Sequence, residues 1–141
     1  MTTTTTTAPE LLQLTYRPDL DLLVGRWGLQ PDDMAVLPLA YEQLATTALN
    51  HGSRRWLQDI RRRTLNDPAT TRWLTTDYFP SLARQLGGRL SVAYLASPTL
   101  LSIILNTPGF LLPEAYTDQP FSLAFFSDEG QAVRWLYQQH Q

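Results

Sequence analysis

Residues 54–63 read RRWLQDIRRR, a short apolar-centred segment with arginines on both sides. The run from Trp56 to Ile60 has the length and composition of a buried strand. Because both of its ends are strongly basic, they are expected to lie in solvent while the middle lies in a core. The segment therefore predicts the central strand of a sheet, with its arginine-rich end, residues 61–63, emerging at one edge.

The pattern on either side of this strand predicts an alternation of strands and helices. Strands are expected at 12–16, 20–27, 90–96 and 121–126, and helices at 38–50, at 68–86 with Pro80 kinking or breaking it, after Ser97-Pro98, and after Ser127 or Asp128. The order β-β-α-β-α-β-α-β-α predicts an α/β domain with a five-stranded, mostly parallel mixed sheet. Only the first strand is expected to run antiparallel.

The N-terminal stretch MTTTTTTAPE has a different composition from the rest of the chain. Its threonine run offers little apolar surface for packing, so residues 1–10 are expected to form a disordered tail. Residues 11–141 are then one domain. The stretch also lacks the basic and apolar regions of a signal peptide, which favours a cytoplasmic protein.

Charge and composition argue against several function classes. The formal net charge is −2, whereas general nucleic-acid binding favours a basic surface, so no nucleic-acid partner is expected. The 141 residues include no cysteine, which excludes thiolate catalysis and cysteine-ligated zinc. The most apolar stretch, residues 95–112, is interrupted by two prolines, so no membrane span is expected. No metal site or cofactor is predicted.

Three segments resemble a known group: LTYRPDLDLLVGRW, RWLQDIR and the C-terminal FFSDEGQAVRWL. Together they make residues 11–137 similar to the SpoIIAA-like proteins of the STAS fold group, found in bacteria. The resemblance implies a β/α fold with helices mainly on one face of the sheet. It also implies relatives that bind partner proteins or apolar ligands rather than catalyse.

The resemblance does not carry over a phosphorylation switch. In the similar anti-sigma-factor antagonists, a serine in an Asp-Ser-Ser-Gly-type loop is phosphorylated. The corresponding region here reads RRRTLNDPATT and lacks that element.

Three loops are expected to converge where the parallel strands end, which is where such sheets bind ligands. With the helix N-termini that follow, they could attract an anion. The candidate residues of this anion site are Arg61, Arg63, Thr64, Ser97, Thr99, Ser127 and Asp128. The alternative is that the serines and the aspartate only cap helices while the arginines solvate the rim.

Asp59 lies within the predicted central strand and should form an ion pair if it is buried. Arg55 and Arg61 share its face of the strand, and a neighbouring strand could instead supply the base. No second acid and neither histidine lies at a spacing that suggests catalysis.

The helix after Ser97 is apolar nearly all round, and an apolar loop segment follows it. Exposed together, these side chains would form an interface or an apolar groove, whereas folded back they would cover the core. The candidate interface residues are Leu100, Leu101, Ile104, Phe110, Leu111 and Leu112. If one face of the sheet is open, the candidate interface also includes Trp27, Trp56 and Tyr94.

We therefore expect a non-enzymatic interaction or regulatory domain that forms a homodimer or binds another protein. The alternative is a carrier that holds a small apolar or acyl ligand between the sheet and residues 98–112, by likeness to the CRAL-TRIO fold.

Overall fold

The computed structural model describes residues 3–7, 11–28, 37–63, 68–106 and 119–139. Across these ranges one six-stranded sheet has its strands side by side in chain order. The strands are β1 (Thr3–Thr7), β2 (Leu12–Arg17), β3 (Leu22–Trp27), β4 (Arg55–Asp59), β5 (Leu90–Leu95) and β6 (Phe121–Phe126). The helices are α1 (Leu37–His51), α2 (Pro68–Trp73), α3 (Phe79–Leu86), α4 (Pro98–Leu105) and α5 (Glu129–Gln138), and a π-helical segment, Leu74–Tyr78, joins α2 to α3.

Strand directions agree with the predicted mixed sheet. β2 runs antiparallel to β1 and β3, while β3, β4, β5 and β6 are parallel to one another. β4 lies between β3 and β5, which confirms the interior position predicted for the strand around Trp56. The α/β class and all five predicted strands are confirmed.

β1 is a sixth strand, which the sequence pattern did not predict. Thr3–Thr7 was expected to be disordered, but its backbone pairs with β2 in the register Thr3 to Tyr16 and Thr7 to Leu12. The prediction of disorder rested on the lack of apolar side chains for packing. The outer edge of β2, however, offers backbone hydrogen bonds to any extended chain. Threonine favours that extended conformation because it is β-branched.

The sheet has two covered faces, here called the front and the back. On the front, one row of neighbouring side chains runs from Leu23 through Trp56 and Val92 to Leu123, under the buried residues of α1, the π-helical segment and α3. The back is covered by α5, which packs against β4, β5 and β6. The residues of this back cluster are Leu22, Val24, Leu57, Ala93, Leu95, Ala132 and Leu136.

The helix predicted to be kinked or broken at Pro80 contains a π-helical segment just before that residue. Proline lacks an N–H group, and its ring crowds the carbonyl group four residues earlier. The wider hydrogen-bond spacing of Leu74–Tyr78 ends just before Pro80, at the start of α3, and helical backbone continues through the junction. The helix is thus altered at this point rather than ended.

Several predicted helix ends are confirmed. Ser97 caps α4 and Asp128 caps α5, while Gly52 and Gly87 follow α1 and α3 with φ of 63° and 79°. Positive φ at such positions favours glycine because it has no Cβ. None of the described helices has both the length and the apolar character that crossing a bilayer requires.

The interior position of β4 predicts a large effect of truncating Trp56, whose side chain is fully buried. Trp56→Ala should lower the free energy of unfolding by about 3–5 kcal/mol, because it leaves a cavity in the core. Chemical denaturation measures this loss, and Trp73→Ala is the matched control, since Trp73 is 39% exposed and should lose less. An equal or smaller loss for Trp56→Ala than for Trp73→Ala would contradict the central position of β4.

Candidate functional site

The carboxyl ends of β4, β5 and β6 meet at one edge of the sheet, as predicted. Backbone hydrogen bonds extend the sheet beyond the strands, from Ile60 N–H to the Leu95 carbonyl and from Ala96 N–H to the Phe126 carbonyl. The segments that follow therefore begin side by side. However, the polar side chains they carry are divided between the two faces.

On the back face, Asp59 is the centre of an ion-pair cluster. Its Oδ2 accepts hydrogen bonds from Arg26 Nη1 at 2.9 Å and Arg61 Nη2 at 2.8 Å. Its Oδ1 accepts from the backbone N–H and the Nε of Arg61, at 3.1 and 3.0 Å. Arg26 Nη1 also reaches Glu129 Oε1 at 3.2 Å. This confirms the expected ion pair, in which Arg61 and Arg26 of the neighbouring strand β3 both supply a guanidinium group.

The same contacts determine the acidity of Asp59. Burial favours the neutral acid, but the hydrogen bonds from Arg61 and Arg26 outweigh it, so the pKa of the carboxyl is lowered below its ordinary value. Arg55, the other predicted candidate, instead lies 3.7 Å from Asp21 and stacks over the ring of Tyr137. The Asp59 carboxylate is fully engaged by its own chain, which is typical of a structural role.

The other predicted anion-site residues do not converge into one site. Ser97 Oγ accepts a hydrogen bond from Leu100 N–H at 3.1 Å, and Asp128 Oδ2 accepts from Gln131 N–H at 2.9 Å, so both act as helix caps. Thr99 and Ser127 are exposed, and Thr64 lies outside the described residues. The structure thus favours the capping alternative for this group.

Arg61 and Arg63 lie on opposite faces. Arg61 turns to Asp59 on the back, whereas Arg63 is buried on the front, with its guanidinium 5.3 Å from the centroid of the Trp27 ring. A turn in which Arg63 N–H donates to the Ile60 carbonyl separates them. The two arginines therefore cannot hold one anion together.

Arg63 opens onto a front-face cavity of about 60 Å3, partly open to solvent. The cavity lies between the sheet and residues of α1, α2, the π-helical segment, α3 and α4. Its lining is Trp27, Tyr41, Leu44, Trp56, Gln58, Ile60, Arg63, Thr71, Leu74, Thr75, Phe79, Tyr94, Leu100, Ile104, Leu123 and Phe125. Large apolar and aromatic side chains predominate, as in small-molecule sites.

Gln58 forms part of the cavity's lining at the sheet. It is 2% exposed, and its Oε1 accepts a hydrogen bond from Trp27 Nε1 at 2.9 Å. The neighbouring position on β3 is Gly25, where an added Cβ would lie 2.8 Å from that oxygen. Glycine here therefore lets the amide lie across β3 and hold the indole of Trp27, which in turn faces Arg63.

The predicted interface residues are divided between the core and the surface. Leu100 and Ile104 are buried and line the cavity, and Leu101 is half-buried. Ile103 and Leu105 are the exposed apolar residues of α4, at 46% and 58% exposure. Phe110, Leu111 and Leu112 lie outside the described residues.

Sequence reasoning did not assemble this cavity, although it named several of its residues. Trp27, Trp56 and Tyr94 were candidates for an open sheet face, yet they lie beneath helices on the front. Strand parity was the usable signal, because Trp56 and Gln58 share one face. No such signal predicted that Arg63, after the end of β4, would turn onto that face.

The described lining residues include no aspartate, glutamate or histidine. In the described part of the chain, no three potential ligands among His, Cys, Asp and Glu lie close enough to hold a metal ion. The arrangement is suited to binding, through apolar contacts and the donors of Arg63.

No protein-family model matches the chain, and no curated protein matches it significantly.

The Asp59 cluster predicts a pH-dependent stability. Because the folded pKa is lowered, the stabilisation is complete above the ordinary carboxyl pKa and is lost as the pH falls through the folded value. Asp59→Asn should cost about 1–3 kcal/mol at pH 7, a modest figure because solvent screens the arginines, and this cost should shrink toward zero below about pH 4.

Urea denaturation of both proteins at a series of pH values measures this difference. Asp19→Asn is the control, since Asp19 pairs with Arg17 in full solvent and its loss should change stability little. A cost of Asp59→Asn that stays constant from pH 7 to pH 3 would contradict the ion-pair account.

Proposed function

We propose that this protein is a non-enzymatic binding domain that holds a small, largely apolar ligand on the front face of its sheet. The cavity between the sheet and α4 is the observation that carries this proposal. It lies against the front face of the sheet and includes residues near the carboxyl ends of β3, β4, β5 and β6: Trp27, Gln58, Tyr94 and Phe125. It also lies between the sheet and α4, which is the described part of the segment that the carrier alternative places over its ligand.

The size and lining of the cavity indicate the kind of ligand. A water molecule needs roughly 10–15 Å3 of such space, so about 60 Å3 accommodates a small organic group, and a longer ligand extends through the open side. Aromatic rings from Trp56, Phe79 and Phe125 offer broad apolar contact. The π-helical segment contributes Leu74 and Thr75, and such segments occur frequently at functional sites.

The resemblance to the SpoIIAA-like proteins supports the same proposal, because it implies relatives that bind apolar ligands or partner proteins. Membership of that group is part of the proposal.

Filling the cavity tests this function. Ile104→Phe places a larger side chain toward the cavity, so it should abolish binding of a small neutral aromatic probe such as benzyl alcohol. Because the ring enters existing space, the melting temperature should stay near the wild-type value, rather than fall as overpacking of a filled core would require. Ligand-observed NMR measures binding, and calorimetry measures melting.

Ile103→Phe is the matched control on the same helix. Ile103 is exposed, so its replacement should leave probe binding unchanged. Equal probe binding by wild type and Ile104→Phe, or no binding by wild type, would contradict the proposal.

A second candidate, self-association, is favoured by two exposed apolar residues of α4. Ile103 and Leu105 are large, apolar and exposed on the same short helix, so their burial between two copies would be favourable. Ile103→Asp should then give a monomer with unchanged stability. Analytical ultracentrifugation decides, and a wild-type monomer at high concentration would contradict this candidate.

A further inference from the structure

Arg63 is the one charged side chain among the described lining residues of the cavity. It is only 8% exposed, and within the described chain its Nη1 is buried without a hydrogen-bond partner. Burial lowers the pKa of the guanidinium, although arginine stays protonated at any ordinary pH. None of the ion pairs among the described residues includes Arg63, and a buried positive charge without an anion is costly.

Four other arginines of the described chain have a carboxylate partner, and all four have more exposed side chains than Arg63. Ion pairs with carboxylates are formed by Arg17, Arg26, Arg55 and Arg61. The guanidinium of Arg63 instead lies over the aromatic face of Trp27, which attracts a cation but accepts no hydrogen bond from Nη1. Its guanidinium is therefore positioned by the ring and available to a ligand.

The single charge and its surroundings restrict the class of ligand. One buried cation neutralises one negative charge, whereas a dianion such as a phosphate monoester would leave an excess charge in an apolar site. A guanidinium binds a carboxylate through two parallel hydrogen bonds. The remaining lining is mostly apolar, so the rest of the ligand should be apolar too.

We propose that the ligand of the front cavity is a small apolar monocarboxylic acid, with its carboxylate on Arg63 and its apolar part against Trp56, Phe79 and Leu100. This inference rests on the proposed binding function and adds the chemical class of the ligand. It also gives a role to a buried charge that is costly to the ligand-free fold.

Probes that share a benzyl group but differ in the charge and chemistry of their polar group test the inference. Phenylacetate, the neutral 2-phenylacetamide and the more highly charged benzylphosphonate are titrated into the full-length protein at pH 8 by NMR. Wild type should bind phenylacetate about tenfold or more tightly than the amide, as expected for a hydrogen-bonded ion pair, and more tightly than the phosphonate.

The variants locate the effect. Arg63→Met should remove the preference for the acid while keeping amide binding, and Arg63→Lys should reduce it, because an ammonium lacks the planar fork. Arg62→Met is the control, since Arg62 is exposed and adjacent and the change in net charge is the same. Without ligand, Arg63→Met should melt no lower than wild type, because it removes an uncompensated buried charge.

Each outcome separates this inference from the function beneath it. If wild type binds the acid and the amide equally, or the phosphonate best, the carboxylate inference is overturned and the cavity's binding function stands. If wild type binds neither phenylacetate nor 2-phenylacetamide, both the carboxylate inference and the proposed binding function are overturned. If Arg63→Met folds and keeps the wild-type preference for the acid, Arg63 does not hold the carboxylate and the inference is overturned. If Arg63→Met fails to fold, Arg63→Lys decides: a reduced preference supports the inference, and an unchanged preference overturns the two-hydrogen-bond contact with the guanidinium.

Discussion

β4 is covered on both faces, and this constraint organises the rest of the molecule. Its alternating side chains must satisfy two different environments: Trp56 and Gln58 face the aromatic front, while Leu57 and Asp59 face the back. A carboxylate on a covered strand needs cations, and Arg26 and Arg61 supply them. On the back face the charges are therefore paired with one another, whereas on the front the guanidinium of Arg63 is buried.

The turn after β4 places Arg61 on the back face of the sheet and Arg63 on the front. Arg61 remains close enough to Asp59 to bind it with both side-chain and backbone donors, and this pairing occupies the carboxylate completely. Two residues later, Arg63 has crossed to the front and lies over Trp27. Gln58 stabilises that position indirectly, because it accepts a hydrogen bond from the Trp27 indole, and Gly25 leaves room for its amide.

Much of this architecture follows from local patterns in the sequence. Apolar runs between polar ends predicted the strands. Ser97-Pro98 and the acid before α5 predicted the helix caps, and the structure contains both. The β1 pairing was missed because backbone hydrogen bonding at a sheet edge needs no apolar side chains. The division of the arginines was missed because alternation holds within a strand and does not extend through the turn at Ile60–Arg63. The predicted anion site failed to assemble for that reason, although one of its members, Arg63, lines the cavity.

The front cavity and the ligand class proposed for it depend on the same buried guanidinium. A crystal structure of the protein grown with phenylacetate tests this account most directly. The account predicts the phenyl ring in the front cavity and both carboxylate oxygens within hydrogen-bonding distance of Arg63. A cavity without the acid, with Arg63 paired to a carboxylate of its own chain, would contradict it.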